Sequence, residues 1–130
     1  MRPVRSPGCC VDVAGDLIDL GVPVLGICYG AQLMAVLTGG QVLRQDKREY
    51  GRVPLRITGD SLLWNDIPRD TVCWMSHTDQ IDRLPPGFTA IAATQNCPVA
   101  AMADENRALY AVQFHPEVQH TPEGARMLPV

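Results

Sequence analysis

The sequence predicts an α/β domain with a mixed, mostly parallel sheet and a functional site at the carboxyl edge of the strands. Three observations carry that prediction. Residues 22–27, Val-Pro-Val-Leu-Gly-Ile, are a short run rich in β-branched residues, of the kind that forms a central strand buried on both faces. Good helix formers follow at once, over 32–37, and Thr38-Gly39-Gly40 stops them. Beyond that stop the pattern changes to short strands separated by turn residues. A chain of 130 residues with 46% hydrophobic and 19% charged residues suits one globular domain. It is long enough to bury roughly two thirds of its unfolded surface.

Taken in order, residues 1–14 read as an irregular start, with Pro3, Pro7 and Gly8 in no usable period. Apolar positions Val13, Leu17, Ile18 and Leu20 suit a short amphipathic helix over 11–20, closed by Gly21. After the strand and helix described above, strands are expected at 41–44, 52–58, 71–75, 88–94, 98–103 and 108–114. The last two form a hairpin, because Asp104-Glu105-Asn106-Arg107 between them tolerates turn geometry. Finally Thr121-Pro122-Glu123 reads as an N-cap, a first-turn proline and an early acid, opening a last helix.

Composition narrows the functional classes. The balance of 11 Lys+Arg against 14 Asp+Glu, a net charge of −3, gives no basic tract of the kind that follows a phosphate backbone, so nucleic acid is not an expected partner. No apolar run approaches the ~20 residues that cross a bilayer, and no apolar h-region follows the N-terminal arginines, so neither a membrane nor secretion is expected and a cytoplasmic location is. Five cysteines (Cys9, Cys10, Cys28, Cys73 and Cys97) are an odd number with no CxxC pair, which disfavours both a disulfide framework and a zinc ribbon. Cys73 and Cys97 read as small core residues. A metal site on His115 and His120 lacks companion ligands at a recognisable spacing, so no metal is expected.

The chemistry concentrates in two motifs. Gly26-Ile27-Cys28-Tyr29-Gly30 lies at the strand-to-helix junction and matches the nucleophile-elbow pattern, with Cys in place of Ser. The turn holds the nucleophile in a strained conformation, and a Cβ at either glycine is expected to crowd the neighbouring strand or helix. The same geometry sets the sulfur over a helix N-terminus, which favours thiolate, and aims the Tyr29 N–H at a developing oxyanion. The alternative is a buried core cysteine beside two packing glycines. In the second motif, Gln113-Phe114-His115-Pro116-Glu117, two-residue spacing in extended backbone puts His115 and Glu117 on one side. A histidine with an acid partner holds one tautomer and can take a proton from a thiol. An exposed His-Glu pair at a strand end is the alternative there.

The order Cys28, His115, Glu117, with the acid just after the histidine, resembles the class I (triad) glutamine amidotransferases and differs from the nucleophile, acid, histidine order of α/β-hydrolases. The likeness extends to Gln32, on the first turn of the helix in Cys28-Tyr-Gly-Ala-Gln32. Arg48-Glu-Tyr-Gly51, Trp74-Met-Ser-His-Thr-Asp79 and Gln113-Phe-His-Pro-Glu-Val-Gln-His-Thr121 resemble the GMP synthase branch in particular. The resemblance implies a three-layer, flavodoxin-like fold in which Cys28 is the nucleophile, His115 the general acid/base and Glu117 its orienting carboxylate. It further implies that Gln32 and the backbone around Ser76 and His77 hold glutamine. The implied reaction is hydrolysis of glutamine to glutamate and ammonia, with no cofactor in this domain. The ammonia would aminate XMP on an ATP-pyrophosphatase domain or subunit that binds ATP and Mg.

By the residues alone, Ser76-His77-Thr78-Asp79 is a polar cluster after a strand and Arg48–Gly51 a surface turn. The family pattern opens with a strand, helix and strand, then a Gly-Gly-Pro loop donating a second oxyanion hydrogen bond. Residues 1–8 offer a proline but no Gly-Gly, so 15–130 reads as a partial domain, incomplete at the N-terminus. One alternative is therefore an inactive remnant or binding subunit. Another class I amidotransferase or a γ-glutamyl hydrolase is a second.

Overall fold

The computed structural model describes Ile18 and residues 21–64 and 67–116, with backbone alone at 45–49 and 78. The expected irregular start, the body of the first helix, the Thr121 helix and Glu117 lie outside the described residues. Strand β1 (Val24–Ile27) leads through Cys28 into helix α1 (Tyr29–Leu37). There follow β2 (Gln41–Ile57), a 3-10 turn (Leu62–Trp64), β3 (Asp70–Arg83), β4 (Thr89–Ala93), β5 (Ala101–Asp104) and β6 (Leu109–Val112).

The helix begins three residues before the expected 32–37. Tyr and Gly are modest helix formers, so propensity delays a start that the turn at Cys28 imposes. Its end is a Schellman closure: the Gly39 N–H donates to Val36 O and the Gly40 N–H to Ala35 O, with Gly39 at φ +101.

The sheet runs β1-β6-β5-β4-β2-β3. It is mixed, as expected, but the balance differs from the expected mostly parallel sheet: among the described residues β1/β6 is parallel and the other pairs are antiparallel. The cause is connection length. Parallel neighbours need a crossover of a dozen or more residues, and the links after β3 are too short for one. The β5–β6 hairpin stands where it was expected, paired Asp104 to Leu109 and Ala101 to Val112.

Further expectations are corrected. The segments 41–44 and 52–58 are one strand, and the second paired segment continues from Asp70 through Ser76-His77-Thr78-Asp79 to Arg83. The polar cluster lies within a strand rather than after one, and Arg48–Gly51 is not a surface turn, because Glu49, Tyr50 and Gly51 pair with His77, Ser76 and Met75. Nor is β1 central among the described strands: it ends the order, with Val24, Leu25 and Ile27 half-buried. The strands buried at every position are β5 and β6.

Those two strands divide the core by alternation. Met102, Leu109 and Ala111 face α1, where Ala31, Met34 and Ala35 pack with Val42, Ile81, Phe88 and Val99. Ala101, Ala103, Tyr110 and Val112 face the other way, onto Leu55, Leu63, Trp64, Cys73, Met75 and Phe114. Cys73 and Cys97 are fully buried in that second cluster, as small core residues should be. The sheet also curls. β3 is farthest from β6 in the strand order, yet the His115 N–H beyond β6 donates to Trp74 O at 3.0 Å.

Candidate active site

Pairing of β1 with β6 fixes the elbow. The Cys28 N–H donates to Val112 O at 2.8 Å, continuing the parallel ladder by one residue, and the Cys28 carbonyl accepts the first helical bonds from Ala31 and Gln32. Cys28 sits at φ 54, ψ −106, a strained conformation for a residue with a Cβ. A Cβ on Gly26 would lie 2.8 Å from Gly30 O and 3.0 Å from Ala31 N, so the chain can fold back only with glycine there. The expectation fails for Gly30, where an added Cβ meets nothing within 4 Å among the described residues. The turn needs one glycine; at the other position the helix leaves room. Tyr29 opens α1, so its N–H is among the first-turn donors that intrahelical bonding leaves over.

A pocket of about 230 Å³ opens at the sulfur, lined by Cys28, Tyr29, Gln32, Tyr50, Ser76, His77 and Asp79. Five of the residues anticipated from sequence therefore line one pocket: Cys28, Tyr29 and Gln32 from the elbow and helix, and Ser76 and His77 from β3. Strand β3 forms the opposite side and works largely through its carbonyls. Ser76 O accepts from the Cys28 thiol at 3.7 Å, Trp74 O holds the His115 backbone, and Asp79 O accepts from Gln32 Nε2 at 3.0 Å. Trp74 and Ser76 are two residues apart on one strand, so Cys28 and His115 are anchored to points roughly 7 Å apart. His115 is half-buried. His77 is buried, and its Nδ1 lies 3.0 Å from Asp79 O, so that nitrogen carries the hydrogen.

Gln32 is 6% exposed, and both hydrogens of its amide are engaged, one by Asp79 O and the other by Gln113 Oε1 at 3.1 Å. What it has left to offer a ligand is its oxygen. Two residues near the sulfur had no role by sequence: Tyr50, from the segment read as a turn, and Gln113, whose Nε2 donates to Cys28 Sγ at 3.7 Å. The signal for Gln113 was legible in principle. It is a carboxamide at the end of the apolar run Leu-Tyr-Ala-Val, and such a group is buried only when partnered. Among the described residues no three His, Cys, Asp or Glu side chains converge as metal ligands. No helix there is long and apolar enough to cross a membrane.

Comparisons with known proteins converge on one family. Residues 4–129 match the family model for glutamine amidotransferase class-I. The chain is 51% identical over 113 residues to a GMP synthase [glutamine-hydrolyzing] of Alkaliphilus metalliredigens, covering 87% of this chain and 22% of that protein. It is 53% identical over 116 residues to the protein of the same description from Clostridium botulinum strain Hall, covering 89% and 23%. The chain thus spans about a fifth of the length of these relatives. Among solved structures, a putative GMP synthase subunit from Thermoplasma acidophilum superposes with a TM-score of 0.85 at 33% identity, over 90% of this chain and 59% of that one. A glutamine amidotransferase from Thermotoga maritima shares the fold, with a TM-score of 0.78 at 23% identity over 85% and 47%. The chain belongs to the class-I glutamine amidotransferase family.

Proposed function

We propose that this chain hydrolyses glutamine to glutamate and ammonia, and that the ammonia aminates XMP to GMP on an ATP-pyrophosphatase domain or subunit. The observation that carries the reading is the strained Cys28, whose sulfur faces a pocket walled by Gln32, Ser76 and His77. The relatives' description, GMP synthase [glutamine-hydrolyzing], supports the choice of acceptor reaction.

In this reading the Cys28 thiol passes its proton to His115, and the sulfur attacks the carboxamide carbon of glutamine. The Tyr29 N–H stabilises the oxyanion of the tetrahedral intermediate. His115 protonates the departing nitrogen, the C–N bond breaks, and a thioester remains on Cys28. Water, deprotonated by His115, then releases glutamate and restores the thiol. Glu117 keeps His115 in the tautomer that the proton transfers need. Gln32, through its remaining oxygen, and the strand at Ser76 and His77 hold the substrate. The domain uses no cofactor of its own; ATP and Mg belong to the partner, and both act in the cytoplasm.

The test follows glutamate release from glutamine, and GMP formation when an ATP-pyrophosphatase domain, XMP, ATP and Mg are added. Cys28→Ala is expected to lower glutamate release by at least about a thousandfold. Equal release by the variant would overturn the hydrolytic reading. Glutamate release with no GMP formed in the presence of the partner would overturn the acceptor reaction.

A further inference from the structure

We infer that Gln113 is a catalytic residue of this site, holding Cys28 as thiolate through an N–H donated to the sulfur. The inference rests on the reading of Cys28 as the nucleophile. Its basis is a chain of amides whose direction is fixed at one end. Asp79 O is a carbonyl and can only accept, so the atom of Gln32 facing it is the nitrogen. The same nitrogen lies 3.1 Å from Gln113, so the atom it meets there is the oxygen. Gln113 is 1% exposed and has one amide end left, its nitrogen, at 3.7 Å from Cys28 Sγ. The backbone of β3 therefore sets which end of Gln113 faces the sulfur: a donor.

The electrostatics give that donor a purpose. In the neutral thiol the S–H donates to Ser76 O. Once the proton leaves, that carbonyl dipole points its negative end at a negative sulfur. The Gln113 N–H strengthens at the same moment, because hydrogen bonds to charged acceptors are roughly twice as strong as neutral ones. Gln113 is thus the counterweight to Ser76, and it joins the nucleophile to Gln32 on the pocket wall. The backbone of β6 and its extension carries it, one residue past Val112, whose carbonyl holds the Cys28 N–H.

The experiment measures alkylation of Cys28 by iodoacetamide from pH 5 to 10, with adducts located by peptide mass spectrometry. It compares the full chain with Gln113→Met, which keeps the shape without the donor, and with Gln113→Glu. In the second variant a carboxylate still accepts from Gln32 but shares a proton with Cys28, and the thiol, the weaker acid, keeps it. The expected result is an upward move of the midpoint by about one pH unit in Gln113→Met and further in Gln113→Glu. A midpoint within about 0.2 unit of the unmodified chain, in either variant with an unchanged circular dichroism spectrum, overturns the inference. Gln113→Glu conserves volume and keeps the comparison open where Gln113→Met fails to fold. Because no glutamine is present, a chain that releases no glutamate would sink the proposed function while leaving this result readable.

Discussion

Two non-glycine residues of the described chain occupy positive φ, Cys28 and Ala108, both at φ 54. They stand at opposite ends of the β1/β6 pair: the Val24 N–H donates to Ala108 O where the pair opens, and the Cys28 N–H to Val112 O where it closes. At Ala108 the strain is a by-product of a tight hairpin. The Asp104 carboxylate holds that turn, accepting from the Asn106 and Arg107 N–H groups and from Arg107 Nε at 2.6 Å. At Cys28 nothing local asks for the conformation. It is held by the ladder bond to β6 and by the close approach of Gly26 to Gly30, and it turns a sulfur toward a pocket. The contrast teaches that equal backbone strain can be incidental in one place and useful in another, and that the surroundings tell which.

The comparison breaks most visibly with glycine at each position. Cys28→Gly should abolish glutamate release while raising stability by about 1–3 kcal/mol, the cost of such strain. Ala108→Gly should raise stability by about 1 kcal/mol and leave activity unchanged. Urea unfolding beside a glutamate assay reads both. Loss of stability in Cys28→Gly would mean that the turn is not strained.

The elbow glycines give the next effect. Gly26→Ala forces a Cβ against backbone that cannot move independently, and a loss of about 1–3 kcal/mol is expected, with activity falling as the turn opens. Gly30→Ala has open space in a helix, and stability should hold or rise by about 0.5–1 kcal/mol. Similar thermal midpoints for the two would contradict the geometry. At the other end, Asp104→Ala strips the hairpin of its acceptor and should cost about 1–3 kcal/mol without changing the activity of the folded protein.

The smallest effect is a pH dependence. The Tyr110 hydroxyl is pushed up to about 12, first by burial of the ring and then by its 2.6 Å hydrogen bond to Glu105, whose negative charge adds to the shift. The folded state thus keeps the proton after the unfolded chain, near pH 10, has lost it. Stability contributed by this group is present below about 10 and is lost as pH rises toward 12. Tyr110→Phe should flatten that part of the unfolding curve. An identical alkaline decline in the variant would assign the loss to other groups.

What sequence made legible, and what it did not, follows the same division. The elbow was readable because a β-branched run broken by Gly-x-Cys-x-Gly has few other uses, and the β5–β6 hairpin because Asp-Glu-Asn-Arg marks a turn between apolar runs. The β2–β3 ribbon was not. Its segments around 45–49 and 76–79 are polar on both sides of the alternation, so composition reads them as loop, and partner backbone alone makes them strand. Carbonyls on that ribbon, at Trp74, Ser76 and Asp79, hold His115, Cys28 and Gln32, and no side-chain pattern encodes them. Gln113 stood inside a motif already singled out, yet its role depends on which end of its amide faces the sulfur. Only the neighbouring hydrogen bonds settle that.

The central claim is that strand, helix and ribbon assemble one activated thiol beside a pocket that takes glutamine. Intact-mass analysis after incubation with a diazoketone analogue of glutamine, beside Cys28→Ser, tests it most directly. A single adduct that maps to Cys28 and is absent from the variant is the expected result. No adduct, or labelling spread over several of the five cysteines, would contradict the account.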